Sequence, residues 1–171
     1  YDSTRIAFTC DRGDCVELWV ADARTGAARP LDGVHVNDVL TGSVARNPAT
    51  PPLLGELPEP PFAWTRDGRH LLARLVPDGR GAPPQPPAVP DGPRIQETSG
   101  KVSQVATFQD LLENELDEHR FEHFGLTQLA RIDVETGAVE HIGAPVLVQT
   151  ARPSPDGRYL LLTRLQRPFS Y

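Results

Sequence analysis

One pentapeptide, His119 to His123, has residue types and a spacing that match a hydrolytic motif. Its sequence "HRFEH" fits the H-x-x-E-H pattern of inverted zinc peptidases, in which two histidines one helical turn apart hold zinc and the glutamate activates water. A catalytic zinc also needs a third protein ligand, and the nearest downstream acids, Glu135 and Glu140, fall in a predicted strand and turn. We therefore predict an ordinary exposed helix end and no metal, with a zinc site as the alternative.

Three arginines, Arg74, Arg164 and Arg167, lie on or just after predicted strands. The planar arginine fork suits carboxylates well. If these strands face a central cavity, the guanidinium groups would hold acidic side chains of a substrate, whereas salt bridges at the surface or between neighbouring units are the alternative. We retain Arg164 and Arg167 as the candidate substrate-binding residues.

The remaining reactive residues do not form a catalytic set. The chain contains neither G-x-S-x-G nor the Lys-Ser/Thr ending of a P-loop, so we predict no catalytic residue and no cofactor within it. Cys10 and Cys15 flank "DRGD". A disulfide across a hairpin turn is geometrically conceivable, and two reduced or partly buried thiols are the other interpretation.

Composition limits the class of protein. The 171 residues suffice for one ordinary domain, and the net charge of -6 argues against nucleic-acid binding, which needs a basic surface. No apolar run approaches the roughly 18 to 20 residues of a membrane span, and the first residues lack the blocks of a signal peptide. The compartment stays open, and export to a bacterial periplasm is one alternative if a signal has been removed.

Internal repeats indicate which elements would position these residues. Residues 2–9, 67–74 and 156–163 align so that an acidic turn residue precedes an apolar strand each time. The apolar residues that coincide are Ile6, Leu71 and Leu160. These segments predict antiparallel strands that follow tight turns.

A second repeat pairs residues 17–31 with residues 127–142, and both contain an Asp-x-x-Thr-Gly turn between two strands. Asp-Gly and Thr-Gly pairs supply the positive φ angles that tight hairpins need. Calcium binding is the alternative for the Asp-Gly turns, but the regular ligand spacing of a calcium loop is missing. We therefore predict antiparallel β-meanders.

The spacing of the repeats predicts an all-β partial β-propeller of about two to three four-stranded antiparallel blades. Without an insertion at residues 77–124, the interval from Asp67 to Asp156 approaches the length of one blade, about 40–45 residues. We predict a blade in residues 1–36, a loop in residues 37–61, a blade in residues 62–142 and the start of another in residues 143–171. Because propellers close with about four to eight blades, we expect a fragment of a propeller domain, or a homo-oligomer that pairs the open blade edges.

The insertion has two parts. Most of the prolines lie between Pro48 and Pro93, which predicts an irregular loop or spacer, with a ligand for a peptide-recognition domain as the alternative. Residues 103–124 predict the single helix, with an apolar stripe made of Phe108, Leu111, Leu112 and Leu116. The residues predicted to form its solvated acidic face are Glu113, Glu115, Asp117 and Glu118.

A set of stretches in fixed order carries a family resemblance. They are "ELWVADARTGAARPL", "IQETSGK", "TFQDLL", "TQLARIDVETGAVEHIG" and "RPFSY". Together they resemble the propeller region of the prolyl oligopeptidase family of serine peptidases, in the branch that includes the glutamyl endopeptidases. "IQETSGK" and "RPFSY" are the more specific of them, because many propellers share the SPDG-type repeat.

This resemblance implies a two-domain enzyme whose β-propeller caps an α/β-hydrolase domain with a Ser, Asp and His triad. No stretch of this chain matches that triad, so the catalytic domain is absent from it and we expect the chain alone to be inactive. The segment would restrict the access of peptides to the catalytic domain. The expected partners are that domain and peptide substrates, and a stand-alone protein-interaction module is the alternative.

Overall fold

The computed structural model describes residues 4–40, 60–86, 112 and 114–169 of the chain. These residues form antiparallel sheets and a short helix, which confirms the predicted all-β partial propeller. In chain order the described elements are β1 (Arg5–Asp11), β2 (Val16–Asp22), β3 (Ala28–His35), β4 (Phe62–Trp64), β5 (His70–Leu75), α1 (Glu115–Gly125), β6 (Leu126–Asp133), β7 (Val139–Pro153) and β8 (Leu160–Arg164).

The described strands form two sheets. The first sheet has the order β1-β2-β3, and the second sheet has the order β4-β5-β6-β7-β8, so each strand pairs with its neighbour in sequence. All six residues of β5 pair with residues 128–133 of β6 although residues 76–125 separate the two strands. The long insertion therefore leaves and re-enters the second sheet between two hydrogen-bonded strands.

The two Thr-Gly turns repeat each other in atomic detail. The Oδ1 atom of Asp22 accepts hydrogen bonds from the backbone N–H groups two and three residues later, at 2.9 and 2.7 Å. The Oδ1 atom of Asp133 does the same at 2.8 and 3.1 Å. Gly26 and Gly137 both have a φ of 74°, which glycine adopts without strain. The turn chemistry that the sequence predicts is thus present in both copies.

The two Asp-Gly turns also match each other. The hydroxyl of Thr65 donates to Asp67 Oδ1 at 2.6 Å, and the hydroxyl of Ser154 donates to Asp156 Oδ1 at 2.6 Å. In each turn the backbone N–H two residues after the aspartate donates to the same oxygen, at 2.9 and 3.1 Å. The aspartate oxygens therefore serve the turns, which supports turn formation over calcium binding as their role.

The main hydrophobic core lies between the facing sides of the two sheets. The first sheet contributes Leu18 and Val20 from β2, and the second sheet contributes Leu71, Ala130 and Ile132. Four of these five side chains have no exposed surface, and Val20 is 7% exposed. Burying one large aliphatic side chain stabilises a fold by roughly 1.5–3 kcal/mol, so this face-to-face packing holds the sheets together.

Strand β7 belongs to two pairings in succession. Its residues up to Leu147 pair with β6, and from Val148 onward it pairs with β8. Residues 148–164 are called the terminal hairpin below. The predicted boundary between residues 142 and 143 falls inside β7, and the division into blades stays a prediction.

Helix α1 begins later than the helix predicted for residues 103–124. Asn114 has an extended backbone, and its side chain accepts a hydrogen bond from the backbone N–H three residues later at 3.0 Å. Asparagine is a favoured N-cap because its side chain satisfies an otherwise unpaired N–H group. Leu112 therefore lies outside the helix, and the predicted stripe that joins it to Leu116 is wrong. The other members of that stripe, Phe108 and Leu111, lie outside the described residues.

The structure describes only parts of the two inserted segments. Residues 41–59 and 87–111 lie outside the described part of the chain, and with them most of the Pro-rich tract. Residues 77–86 have no helix or strand, and Arg120 Nε of α1 donates to the Pro84 carbonyl at 3.0 Å. In the described ranges, no helix is long and apolar enough to cross a membrane.

Candidate functional site

A cavity of about 420 Å³ lies in the second sheet, between strands β4 to β6 and the terminal hairpin. Leu72 and Leu129 line it from the side of the second sheet that faces away from the first sheet, because side chains alternate along a strand and Leu71 faces the core. The full lining is Pro60, Pro61, Phe62, Ala63, Trp64, Leu72, Arg74, Leu129, Ala151, Arg152 and Pro153. A volume of this size is in the range of small-ligand sites, roughly 300–1,000 Å³.

The cavity exists because small residues replace large ones in the internal repeat. Phe62 and Trp64 pack against the core between the two sheets. The pairing of β7 with β8 places Ala151 and Pro153 at the equivalent positions of the terminal hairpin. Close-packed interiors leave few voids larger than a water molecule, so the exchange of two aromatic rings for small side chains leaves space that an apolar group can occupy.

Arg74 is the sequence-predicted arginine that reaches this cavity. It is only 5% exposed, and its backbone N–H donates to the Pro61 carbonyl at 2.9 Å. Arg152 lines the cavity as well. Two arginines thus line a mainly apolar space, and a lining of this composition suits an apolar segment that carries a carboxylate.

The candidate substrate-binding residues Arg164 and Arg167 are not among the residues that line this cavity. Arg164 ends β8 and is exposed. Arg167 lies three residues further on, where its Nε and Nη2 atoms donate to the two carboxylate oxygens of Glu122 at 2.6 and 3.0 Å. Its Nη1 atom donates to Glu118. The role of both arginines in substrate binding stays a prediction.

The H-x-x-E-H residues point to different neighbours. Glu122 is bound by Arg167, and this hydrogen bond lowers the pKa of the glutamate carboxyl. His119 Nε2 lies 3.9 Å from Glu115 Oε1, and the His123 ring contacts the adjacent aromatic ring edge-on. A glutamate held by a guanidinium group is poorly placed to activate a metal-bound water.

The two acids considered as a third zinc ligand lie in ion pairs elsewhere. Glu135 Oε1 is 2.7 Å from Arg5 Nη2, and Glu140 Oε2 is 2.9 Å from Arg131 Nη2. Among residues 4–40, 60–86, 112 and 114–169, no cluster of three or more His, Cys, Asp or Glu side chains is arranged to hold a metal ion. In the described residues Glu122, Glu135 and Glu140 each bind an arginine, and the choice between an ordinary helix end and a zinc site stays a prediction.

A polar cluster that the sequence did not single out joins two of the turns. His70 Nδ1 lies 2.7 Å from Asp67 Oδ2, and His70 Nε2 lies 3.8 Å from Asp133 Oδ2. Arg69 Nε also donates to Asp133 Oδ2 at 2.8 Å. The turn patterns identify each aspartate, but only the antiparallel pairing of β5 with β6 brings the two together. The geometry is that of a structural network, since each carboxylate also closes its own turn.

Electrostatics in this cluster keep both carboxylates ionised. The hydrogen bond from Arg69 holds the pKa of Asp133 well below its usual range, and backbone N–H groups of its turn contribute. Burial acts to raise the pKa of Asp67. Hydrogen bonds from the hydroxyl of Thr65 and from two backbone N–H groups outweigh burial, so that pKa is lowered as well. Both charges are therefore present at neutral pH.

Cys10 and Cys15 are free thiols. Cys10 pairs with Glu17 across β1 and β2, whereas Cys15 precedes β2, so the two cysteines are not directly opposite each other. Burial raises the pKa of Cys15, and the nearby carboxylate of Asp14 acts in the same direction. The structure thus favours two thiols over a disulfide, and Cys15 is a weak nucleophile because its thiolate is disfavoured.

Two curated plant proteins, each described as a probable chloroplastic glutamyl endopeptidase, are similar to this chain. The protein of Oryza sativa subsp. japonica is 37% identical over 161 residues, which cover 91% of this chain and 15% of that protein. The protein of Arabidopsis thaliana is 36% identical over 155 residues, which cover 90% of this chain and 14% of that protein. The chain thus spans about one seventh of the length of either relative.

Comparison with solved structures finds an acylaminoacyl peptidase in complex with Z-Gly-Gly-Phe-chloromethyl ketone. It is 18% identical, has a TM-score of 0.43, and the match covers 97% of this chain and 20% of that chain. No protein-family model matches the chain.

The repeated antiparallel sheets define the chain as a segment of a β-propeller. Over nine tenths of its length the chain is similar to proteins described as glutamyl endopeptidases, and this similarity supports an N-terminal region of a prolyl oligopeptidase-family peptidase. The resemblance carried by its sequence motifs is thereby confirmed.

Proposed function

We propose that this chain is a segment of the β-propeller of a serine peptidase, and that the propeller restricts the access of peptides to a catalytic α/β-hydrolase domain of the same protein. The observation that carries the proposal is 37% identity over 161 residues with a relative named as a glutamyl endopeptidase, of which this chain spans only 15%. The absence of a G-x-S-x-G sequence from the 171 residues supports a catalytic domain located elsewhere.

The physical basis of the restriction is the size of the passage that a propeller leaves. A ring of packed blades excludes folded proteins, whereas an extended peptide can pass to a site from which water is largely excluded. Exclusion of water strengthens the electrostatic stabilisation of the transition state that leads to an acyl-enzyme. The ring of blades would therefore contribute to both selectivity and rate.

The test compares substrates of one sequence in two states of folding. The full-length protein is incubated with a short peptide and with the same sequence embedded in a stable folded host, and initial cleavage rates are measured. We expect cleavage of the peptide at least about a hundredfold faster than cleavage of the host. The unfolded host is the control and should be cleaved at a rate near that of the peptide. Equal rates for the peptide and the folded host would contradict restricted access.

Within this proposal, Arg164 and Arg167 contact acidic side chains of the substrate. Arg164 is the sharper test, because Arg167 also binds α1. In the full-length protein, Arg164→Ala should raise KM for a glutamate-bearing peptide about tenfold. It should leave KM unchanged for a peptide of the same sequence in which glutamine replaces the glutamate. Arg24→Ala, an exposed arginine in a distant turn, is the matched control. An equal effect on both peptides would rule out recognition of the carboxylate.

A second candidate function, a protein-interaction module, is supported by exposed apolar residues on the outer strands. Tyr159 and Leu161 are 68% and 70% exposed beside and on β8, and Ile6 on β1 is 55% exposed. A defined homo-oligomer that buries these strands would favour this function for the isolated chain, and Leu161→Lys should then dissociate it. Light scattering after size exclusion measures the outcome, and a monomer at all concentrations would contradict it.

A further inference from the structure

Helix α1 is bound to the end of the first sheet through a buried asparagine. Asn37 Nδ2 donates to the carbonyl oxygens of Phe124 and Leu126 at 3.0 and 2.8 Å. Asn37 is 4% exposed, and its backbone N–H donates to the Arg74 carbonyl at 2.9 Å. One side chain thus satisfies carbonyl groups at the helix end that have no partner inside the helix. These contacts join residues that are 87 and 89 positions apart.

The same end of α1 packs tightly on the second sheet. A Cβ atom placed on Gly125 would lie 3.0 Å from side-chain carbons of both Leu147 and Leu40. The hydroxyl of Thr127 on β6 donates to the Gly125 carbonyl at 2.9 Å. A side chain at this position would require both leucines to shift by a few tenths of an ångström, so the helix end packs closely against its neighbours.

The middle of α1 binds the segment that follows β8. Arg167 forms a two-pronged pair with Glu122 and donates to Glu118 as well. Glu118 is 13% exposed, so the prediction that it belongs to a solvated face is wrong. The Phe121 and Phe169 rings meet edge-to-face with centroids 5.1 Å apart. Charged and aromatic contacts therefore act at the same place on one face of the helix.

We propose that α1 is a brace that couples the first sheet, the second sheet and residues 165–169 after β8. In this assignment, Glu122 and Phe121 of the H-x-x-E-H stretch serve docking and not zinc binding. The partners of Asn37 and Arg167 are 45 to 89 positions away in sequence, so these contacts form only when neighbouring repeats are packed. The proposal rests on contacts within this chain and is independent of the proposed peptidase function.

Amide hydrogen exchange of the full 171-residue chain tests the brace. Arg167→Ala should raise exchange rates in α1 and in β8 by about threefold to tenfold. The two-pronged ion pair is lost, and the neighbouring contact between Phe121 and Phe169 is weakened. Exchange in β1 to β3 should stay within twofold of the wild type. Glu122→Gln keeps the size of the side chain and removes its charge, so it should give the same pattern if Arg167→Ala fails to fold.

The matched control removes an ion pair of similar geometry that joins strands of one sheet. Arg131 Nη2 and Glu140 Oε2 are 2.9 Å apart on the exposed surface of β6 and β7. Arg131→Ala should leave exchange in α1 and β8 unchanged. Unchanged rates in α1 and β8 for Arg167→Ala, or rates raised as much by Arg131→Ala, would overturn the proposal.

A variant in which the two charged residues are swapped distinguishes a specific ion pair from a general loss of packing. The double variant Arg167→Glu with Glu122→Arg should recover at least half of the exchange protection that Arg167→Glu alone loses. Zinc titration by calorimetry checks the other assignment of the motif. Stoichiometric zinc binding by the wild-type chain that His119→Ala or His123→Ala abolishes would overturn the docking role, and absence of heat supports it.

Discussion

The two ends of the strands are held together in different ways. At the turn end (residues 23–27, 65–69, 134–138 and 154–159), aspartate oxygens accept hydrogen bonds from backbone N–H groups two or three residues later. At the insertion end (residues 36–40, 76–86, 114–125 and 165–169), the side chains of Asn37 and Arg167 bind partners at least 45 positions away. Each turn at the turn end is thus closed by local hydrogen bonds, whereas Asn37 and Arg167 at the insertion end bind residues that are distant in sequence.

The difference between these ends shows where stability depends on assembly of the repeats. Long-range contacts also occur at the turn end. Arg66 Nη1 donates to the Pro155 carbonyl at 3.0 Å in an exposed position, and Arg69 Nε donates to Asp133 Oδ2 at 2.8 Å in a part-buried position. Exposed polar pairs contribute little, at most about 1 kcal/mol, because water competes for both groups. The buried Asn37 at the insertion end contributes more than an exposed pair, since a buried polar group that loses its partner is left with neither protein nor water. The pairs of Arg167 with Glu122 and Glu118 are exposed.

The largest effect that separates the two ends should come from Asn37→Ala. The change removes the buried amide that donates to the Phe124 and Leu126 carbonyl groups at the end of α1, and we expect the free energy of unfolding to fall by about 2–4 kcal/mol. Arg66→Ala at the turn end is the control and should cost less than about 0.5 kcal/mol. Urea denaturation followed by circular dichroism measures both, and equal losses would remove the distinction between the two ends.

A steric test of the insertion end is Gly125→Ala. The new methyl group would overlap Leu40 and Leu147, and overpacking of this kind costs about 1–3 kcal/mol. Adding Leu40→Ala should recover part of the loss, because the two changes share one space. Thermal and urea unfolding of the single and double variants provide the measurement. A double variant whose cost equals the sum of the two single costs would mean that the side chains do not meet.

At the turn end the corresponding change, Gly137→Ala, tests backbone strain. Gly137 has a φ of 74°, and no heavy atom lies within 4 Å of the place that a new methyl group would take. Any cost therefore arises from the left-handed backbone, about 1–2 kcal/mol. Gly137→Asn should cost less, because asparagine tolerates this conformation better than alanine. Urea denaturation of both variants measures the two losses in free energy of unfolding. A larger loss for Gly137→Asn than for Gly137→Ala would indicate that side-chain contacts, and not backbone strain, set the cost.

The smallest effect should be a change in acid sensitivity at the turn end. The hydroxyl of Ser154 and a backbone N–H lower the pKa of Asp156 in the folded chain. The unfolded chain therefore binds the proton more tightly, so this group's stabilisation is complete above about pH 4 and is lost as the pH falls through the lower folded pKa. Asp156→Asn should therefore lower the melting temperature at pH 7 slightly and flatten its decline between about pH 4 and pH 2.

Glu140→Gln, in an exposed pair with Arg131, is the control for that experiment. It should leave the acid dependence of the melting temperature close to that of the wild type, since no aspartate-closed turn is altered. A decline equally flattened by both substitutions would show that general charge, and not the turn hydrogen bonds, sets the acid dependence.

Much of the fold could be predicted because its signals are local. The Asp-Gly and Thr-Gly turns satisfy their hydrogen bonds within three residues, so the short patterns around Asp22 and Asp133 define both their presence and their shape. The short apolar run His70–Leu75 that follows an Asp-Gly turn likewise predicts a strand without knowledge of its partner. These patterns made the partial propeller predictable.

The candidate site was less predictable because its geometry depends on packing between repeats. The cavity follows from comparing Phe62 and Trp64 with Ala151 and Pro153, and that equivalence becomes visible only when β7 pairs with β8. Similarly, no pattern within α1 indicates that Arg167 would bind it. The helix start was missed because the apolar spacing continues on the N-terminal side of Asn114, whereas α1 begins only after this N-cap residue.

The sequence by itself determined the turns, the strand order within each meander, the place of the insertion and the family, because these depend on residues close together in the chain or on similarity along it. The tertiary structure decided which polar groups meet, that Glu118 and Glu122 bind Arg167, and where a cavity remains. The physical reason is that burial and ion pairing between residues 45 or more positions apart depend on how whole sheets pack, and a linear pattern does not encode those distances.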